Sequence, residues 1–144
     1  MLYFDTSFLA PLILEESASG RIEEFFARLQ AGQLYVSHWT RVEFASLIAR
    51  EVRMGGLAEA DALLAIGQFD EMVAGSFQVL APGAADYELA KAYVQHFDTG
   101  LRAGDALHLA IASNNGAKMF YTLDEGLLIA ARLLKVNAKR GIKT

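Results

Sequence analysis

The chain has 144 residues, 53% of them apolar and 21% charged, with no cysteine and a net charge of −4. That length predicts one domain, residues 1–144, burying roughly 70% of its unfolded surface. The composition excludes a disordered tail, disulfides, thiolate zinc sites and cysteine nucleophiles, it argues against a protein that coats nucleic acid nonspecifically, and it fits a cytoplasmic protein.

Residues 2–5 (Leu2-Tyr3-Phe4-Asp5) predict a short buried strand, and a helix is expected from about Ser7 to Glu15, with Pro11 tolerated in its first turn. Ile22 to Leu29 has helical periodicity, with Ile22, Phe25, Phe26 and Leu29 on one stripe. Leu34 to Val36 predicts a second strand. Val42, Ala45, Ile48, Ala49 and Val52 then mark a helix that Glu43 helps to open and that stops at Gly55-Gly56. Leu57 to Val73 predicts another helix, Phe77 to Leu80 a third strand, and Tyr87 to Phe97 a helix after Pro82-Gly83. Thr99-Gly100 breaks the chain before a helix that opens near Asp105 and stops at Asn114-Asn115-Gly116. Lys118 to Leu123 predicts a fourth strand, Glu125 to Leu134 a helix, and Val136 to Lys139 a short edge strand. Strands alternating with helices predict an α/β fold, a mostly parallel central sheet covered on both faces.

No secretory signal is expected, because the amino terminus lacks a basic start and carries Asp5 inside its apolar stretch. The longest charge-free run, Met72 to Ala85, contains Pro82 and two glycines and is too short to span a bilayer. From Arg132 to Thr144 there are five basic residues and no acidic one, which reads as a solvated terminus or a phosphate contact.

Four carboxylates carry the chemistry: Asp5, Glu43, Asp105 and Asp124. Each has apolar flanks, and none has Lys or Arg three or four positions downstream, where a helix would place a pairing partner. Each also has a structural reading. Asp5 and Asp124 serve as helix caps, Asp105 favours a helix dipole, and Thr40-Arg41-Val42-Glu43 matches a capping box. In parallel sheets, however, groups at the carboxyl ends of the strands converge on one edge. Two carboxylates about 4 Å apart repel by roughly 4 kcal/mol at an effective dielectric near 20, a cost that a divalent cation reverses. The histidines His38, His96 and His108 lack zinc-ligand spacing, so a metal here would sit on oxygen: Mg²⁺, or Mn²⁺ in its place. Metal-assisted phosphodiester hydrolysis is the corresponding chemistry. Thr6, Ser7 and Thr122 flank the acids and read equally as helix caps or as hydroxyls supporting the site. Arg102, ahead of Asp105, and Arg41, ahead of Glu43, are the candidates for holding a scissile phosphate. His108 reads as a packed helix histidine before a ligand or base, and Trp39 and Tyr35 as core before a stacking platform.

At these residues the chain resembles PIN-domain proteins, and among them VapC-type toxins. The resemblance runs over nearly the whole chain: Leu2-Tyr3-Phe4-Asp5-Thr6-Ser7, Val36-Ser37 with Val42-Glu43-Phe44, the run from Leu101 to Ala110, and Tyr121-Thr122-Leu123-Asp124-Glu125-Gly126-Leu127. It implies a three-layer α/β/α sandwich and a magnesium- or manganese-dependent endoribonuclease that cleaves structured RNA such as tRNA or rRNA. It implies a metal site of Asp5, Glu43, Asp105 and Asp124 supported by Thr6 or Ser7 and Thr122, a homodimer, and silencing by a cognate antitoxin. Glu125 departs from the pattern, placing a negative charge where a basic residue is often seen. Two other classes compete. One is a non-catalytic PIN-like module that binds RNA or protein. The other is a phosphate-transferring receiver or haloacid-dehalogenase-like enzyme, which would want a second acid near Asp5, where Ser7 stands.

Overall fold

A computed structural model describes residues 1–143. Five strands, β1 (Leu2–Phe4), β2 (Leu34–Ser37), β3 (Gln78–Leu80), β4 (Met119–Tyr121) and β5 (Ala138–Lys139), form one sheet in the order β3-β2-β1-β4-β5. Every neighbouring pair is parallel. On one face lie α1 (Thr6–Leu9), α2 (Ser19–Ala27), α3 (His38–Arg53) and α4 (Glu59–Ser76); on the other lie α5 (Ala84–Val94), α6 (Ala103–Asn114) and α7 (Glu125–Leu133). This is the expected three-layer sandwich, with a sheet that is parallel throughout.

The two-residue period of β1 divides the core. Tyr3 points into the layer of α5, α6 and α7, where it stacks on Phe120, its register partner on β4, with ring centroids 5.4 Å apart. Phe4 points the other way, stacking on its partner Tyr121 at 5.1 Å and meeting Phe8, Phe25, Phe26 and Phe77. Successive strand residues face opposite sides, so three residues of β1 serve two cores. On the α3–α4 side, Phe44 and Phe69 stack at 4.0 Å, which holds α3 against α4.

The topology places the site. From β1 the chain runs outward through β2 to the edge strand β3, then crosses back to β4 on the other side of β1. Strand order therefore reverses between β1 and β4, the position at which open α/β sheets form a crevice beyond the carboxyl ends of their strands. Asp5 follows β1, and Thr122 and Asp124 follow β4.

Three elements differ from the sequence expectation. One is α5, expected from Tyr87 to Phe97 and found at Ala84–Val94 because the cap between Gly83 and Asp86 opens it earlier, with a 3-10 turn at Phe97–Thr99 beyond it. The helix expected from Ser7 to Glu15 is only one turn of α1, continued by a 3-10 turn at Ala10–Leu12. Pro11 lacks the N–H that the α-helical ladder needs at that depth, and α2 does not begin until Ser19. α3 opens at His38 rather than near Val42. Ser37 is its N-cap: the Ser37 hydroxyl accepts from Thr40 N at 3.4 Å while the Thr40 hydroxyl accepts from Ser37 N at 3.2 Å. The reciprocal cap therefore lies one turn before Thr40-Arg41-Val42-Glu43, and Glu43 sits inside the helix, free of any capping role.

Away from the site, buried Asp86 joins two helices. Its carboxylate accepts from Gly83 N at the start of α5 and from the Asn114 side chain at the end of α6, both at 2.9 Å. Asp86→Ala removes the cap on Gly83 N and the link to the Asn114 amide, both on exposed residues that water can reach, so unfolding free energy should fall by about 0.5–2 kcal/mol. Urea denaturation checks this: the midpoint should drop at constant slope, and an unchanged midpoint contradicts it.

Candidate functional site

Asp5, Glu43, Asp105 and Asp124 line one cavity of about 610 Å³ at the carboxyl edge of the sheet, together with Thr6, Ser7 and Trp39. The four acids come from the end of β1, the second turn of α3, the first turn of α6 and the turn after β4. Exposure rises across the set: Asp5 is buried, Glu43 and Asp105 are half-buried, and Asp124 is open to solvent.

Asp5 is enclosed by donors. Its Oδ1 accepts from the Ser7 hydroxyl at 2.7 Å and from Phe8 N at 3.2 Å, and its Oδ2 accepts from the Thr122 hydroxyl at 2.5 Å. Burial nevertheless dominates. It raises the Asp5 carboxyl from its ordinary 3.8 to about 6, against the lowering effects of His108 and of those three hydrogen bonds. Ser7 and Thr122 also meet each other at 3.1 Å, and Ser7 Oγ accepts from Leu123 N. The hydroxyls thus tie the ends of β1 and β4 together around one carboxylate.

Glu43 is held differently. Burial acts to raise its carboxyl, but the hydrogen bond and charge of His108 and the hydrogen bond from Thr6 outweigh it, and the net shift is downward. One oxygen, Oε1, accepts from the Thr6 hydroxyl at 2.7 Å and from His108 Nε2 at 2.5 Å. A carboxylate only accepts, so His108 Nε2 donates to Glu43, and Nδ1 on the other side of the ring meets the Tyr3 hydroxyl at 2.8 Å. Tyr3 in turn meets the Ser37 hydroxyl at 2.8 Å. A buried relay therefore runs from the cap of α3, through β1, to α6 and back to Glu43 on α3. The other oxygen of Glu43, Oε2, lies against Gly104, where a Cβ would stand 3.0 Å from it and 3.2 Å from the Trp39 ring. Trp39 Nε1 donates to Gly104 O at 3.1 Å, so α6 and α3 meet closely here and a Cβ at this position would crowd both side chains.

Asp105 is raised first by burial, then by the charges of Asp124 and Glu43, with His108 and Arg102 acting in the opposite direction. Asp124 caps α7, accepting from Leu127 N at 3.0 Å, and its own N–H donates to Thr122 Oγ1. The caps expected for Asp5 and Asp124 and the shared cavity are therefore both present. The same backbone turns that use these carboxylates as caps aim them at the sheet edge. Among the described residues none of the four acids forms an ion pair with Lys or Arg. Nor do three acidic or histidine side chains among those residues converge closely enough to hold one ion as they stand. The oxygens of Asp5 and Oε1 of Glu43 are instead turned toward hydroxyl, amide and imidazole donors.

The basic residues are placed less as expected. Arg102 is the N-cap of α6 and shares a second cavity, about 340 Å³, with Asp105 and Asp124. Arg41 does not line the cavity. Two positions along a helix turn a side chain to the opposite flank, and Arg41 pairs with Asp70 at 3.5 Å and meets His38 Nδ1 at 3.2 Å. Glu125 also lies outside the cavity lining, exposed and 3.5 Å from Arg140. Sequence reasoning missed the contact of His108 with Glu43, although the i, i+3 spacing from Asp105 put it on the right helix face. It also missed Arg50 and Arg53, which line the acidic cavity.

A family model for the PIN domain matches residues 2–133. No curated protein sequence matches the chain. The fold is similar to that of VapC20 from Mycobacterium tuberculosis, described as a sarcin-ricin loop cleaving toxin, at 20% identity and TM-score 0.72 over 90% of this chain and 95% of that one. It is similar to FitAcB from Neisseria gonorrhoeae at 19% identity and TM-score 0.68 over 98% of both chains. A toxin–antitoxin complex from Klebsiella pneumoniae shares it at 18% identity and TM-score 0.60, over 86% of this chain and 87% of that one.

The state of Asp5 fixes a pH dependence. Its carboxyl binds protons more tightly in the fold, at about 6, than its ordinary 3.8. At this group the folded state therefore holds more protons than the unfolded one between those values, and the contribution of Asp5 to stability falls as pH rises from about 4 to 6 before levelling off. Asp5→Asn should remove part of that fall and raise unfolding free energy at pH 7, in EDTA, by about 1–3 kcal/mol. Denaturant unfolding at pH 4.5 and 7 checks it, and a mutant less stable than wild type at pH 7 contradicts it.

Proposed function

The chain belongs to the PIN-domain family, and on that premise we propose that residues 1–144 act as one unit, a divalent-metal-dependent endoribonuclease that cleaves structured RNA such as tRNA or rRNA loops, as the toxin of a toxin–antitoxin pair. The observation that carries this reading is the cavity shared by Asp5, Glu43, Asp105 and Asp124, with no lysine or arginine paired to any of them among the described residues.

The donor set fits a hard cation. All four groups offer oxygen, and burial raises Asp5 and Asp105, the latter further through its acidic neighbours, so the cavity gathers acids that no lysine or arginine pairs with among the described residues. Asp5, Glu43 and Asp105 would hold Mg²⁺, or Mn²⁺ in its place, and Asp124 would complete the set or orient the attacking water. When bound, such an ion supplies activation of water and neutralises charge on the phosphate and leaving oxygen. The chain's own contribution is orientation. Ser7 and Thr122 fix the Asp5 oxygens, while Thr6 and His108 fix Oε1 of Glu43 and leave Oε2 toward Gly104. Arg102, beside Asp105 and Asp124, is placed to steady a phosphate.

The wider role belongs to the same reading. A cognate antitoxin is supported by the likeness to the Klebsiella complex, and a toxin acting on RNA by the likeness to VapC20. Exposed Met54, Leu63 and Leu64, at the end of α3 and on α4, support contact with a protein partner, a second copy or the antitoxin. No helix of the described residues is long and apolar enough to cross a membrane, which agrees with a cytoplasmic site of action.

The test is cleavage of tRNA and rRNA by purified protein with Mg²⁺, with Mn²⁺ and with EDTA. Asp5→Asn should lower the rate by at least roughly 100-fold, since loss of an outer partner of a metal ligand already costs about 10–100-fold. Equal cleavage by mutant and wild type would overturn the assignment, and binding without cleavage at any metal concentration would favour the non-catalytic module. His108→Gln, which alters the support of Glu43 but not the acids, should lose about 10–100-fold in activity or metal affinity while remaining folded by circular dichroism. A mutant with wild-type activity and affinity would show that the relay is only structural.

A further inference from the structure

Two arginines share the acidic cavity without pairing to its acids. On α3, Arg50 and Arg53 follow Glu43 by seven and ten positions, which the helical repeat returns to the same face, about 10 and 15 Å further along the axis. Both line the cavity with the four carboxylates, both are exposed, and neither forms an ion pair among the described residues. Ser46 and Leu47 fill the face between them and Glu43. Beyond the acids, Arg102 lines a second cavity of about 340 Å³, to which Asp105 and Asp124 also belong. Asp105 and Asp124 thus border both hollows, one of which carries Arg50 and Arg53 and the other Arg102.

We propose that Arg50 and Arg53 form a phosphate-binding track for the RNA strand on the side of the scissile bond opposite Arg102, so that the substrate runs from the Arg102 hollow, across the carboxylates, and along the outer two turns of α3. This rests on the endoribonuclease reading of the same cavity. A ligand that spans both hollows must carry repeated negative charge on either side of the reacting group, as a polynucleotide backbone does. The chain as a whole is acidic and repels such a ligand, so affinity has to come from local guanidinium groups, which bind phosphate in bidentate fashion. Leu47 and Trp39 in the cavity wall offer apolar surface for sugar and base between these phosphate contacts. Arg50 and Arg53 also stand in the last turn of α3, where cations favour the helix dipole. That role alone would register in stability and leave RNA affinity untouched.

The experiment compares wild type with the double variant Arg50→Gln/Arg53→Gln. A second double variant, Arg28→Gln/Lys118→Gln, removes the same charge at positions outside both cavities. Binding of a mixed-sequence single-stranded RNA oligonucleotide is measured against salt in EDTA, and cleavage of the same RNA in Mg²⁺. Loss of two phosphate contacts should flatten the slope of log affinity against log salt by about 1.4 and raise KM about tenfold, with a smaller change in kcat. The control should track wild type. Equal slopes and KM for wild type and the Arg50/Arg53 variant, or an equal loss in the control, would overturn the track. The two readings fail separately. Cleavage that is indifferent to Arg50 and Arg53 leaves the nuclease standing without the track, whereas an arginine-dependent slope with no cleavage in Mg²⁺ leaves the track standing without the nuclease.

Discussion

Like charge gathered at one sheet edge is the constraint on which the rest of this structure depends. Parallel strands deliver their carboxyl ends to a common rim, and here that rim receives four carboxylates on a largely apolar core. Each is stabilised by a different means. Asp5 has three hydrogen-bond donors and is still raised to about 6 by its burial. Glu43 has His108 and Thr6 and is held low. Asp105 has only the more distant charges of His108 and Arg102 on its side, and Asp124 stays in water. The hydrogen bonds stabilise individual groups and do not cancel the net charge, which is the property a cation site requires.

The polar groups that support the acids also hold the fold together. Ser37 caps α3 and meets the Tyr3 hydroxyl; Tyr3 packs on Phe120 in the core and bonds His108; His108 reaches Glu43. Thr122 and Ser7 lace β4 to the turn after β1. Every one of these groups except Glu43 and Ser7 is buried, and buried networks of this kind resist small displacements because an unpaired member is costly. Glu43 is therefore positioned from strands and helices and not from loops, the condition for holding a reacting geometry tightly.

Much of this was legible in the chain itself. Strand ends at Asp5 and Asp124 followed from short apolar runs closed by an acid, and the sandwich followed from the alternation of strands and helices. What the sequence concealed has identifiable physical causes. Pro11 reduced an expected helix to one α-turn and a 3-10 turn. The true cap of α3 was hidden because Ser37-His38-Trp39-Thr40 is a reciprocal cap without the usual glutamate, while Thr40-Arg41-Val42-Glu43 offered a better-looking one. Arg41 was placed by its nearness to Glu43 in sequence, yet two positions on a helix point to different flanks, whereas Arg50, seven positions on, returns to the same one. The bond between His108 and Glu43 joins residues 65 positions apart and depends on Gly104 letting α6 approach α3, which periodicity within either helix does not reveal.

On the proposed nuclease reading, segregation of charge would reconcile an acidic protein with a polyanionic ligand. A uniform net charge of −4 would repel RNA, but within the charge-screening distance of about 8 Å at physiological salt a ligand responds to local groups and not to the total. Near the site, Glu125 is occupied by Arg140 and Asp70 by Arg41, and both acids lie outside the cavity walls. What lines the hollows is the acids with Arg50 and Arg53 in one and Asp105 and Asp124 with Arg102 in the other. On the same reading, a cation at the acids would make the strip attractive to phosphate, whereas without it the acids would repel what the arginines attract. Metal and RNA would then bind cooperatively by simple electrostatics, with no conformational change needed to make the occupancy of one depend on the other.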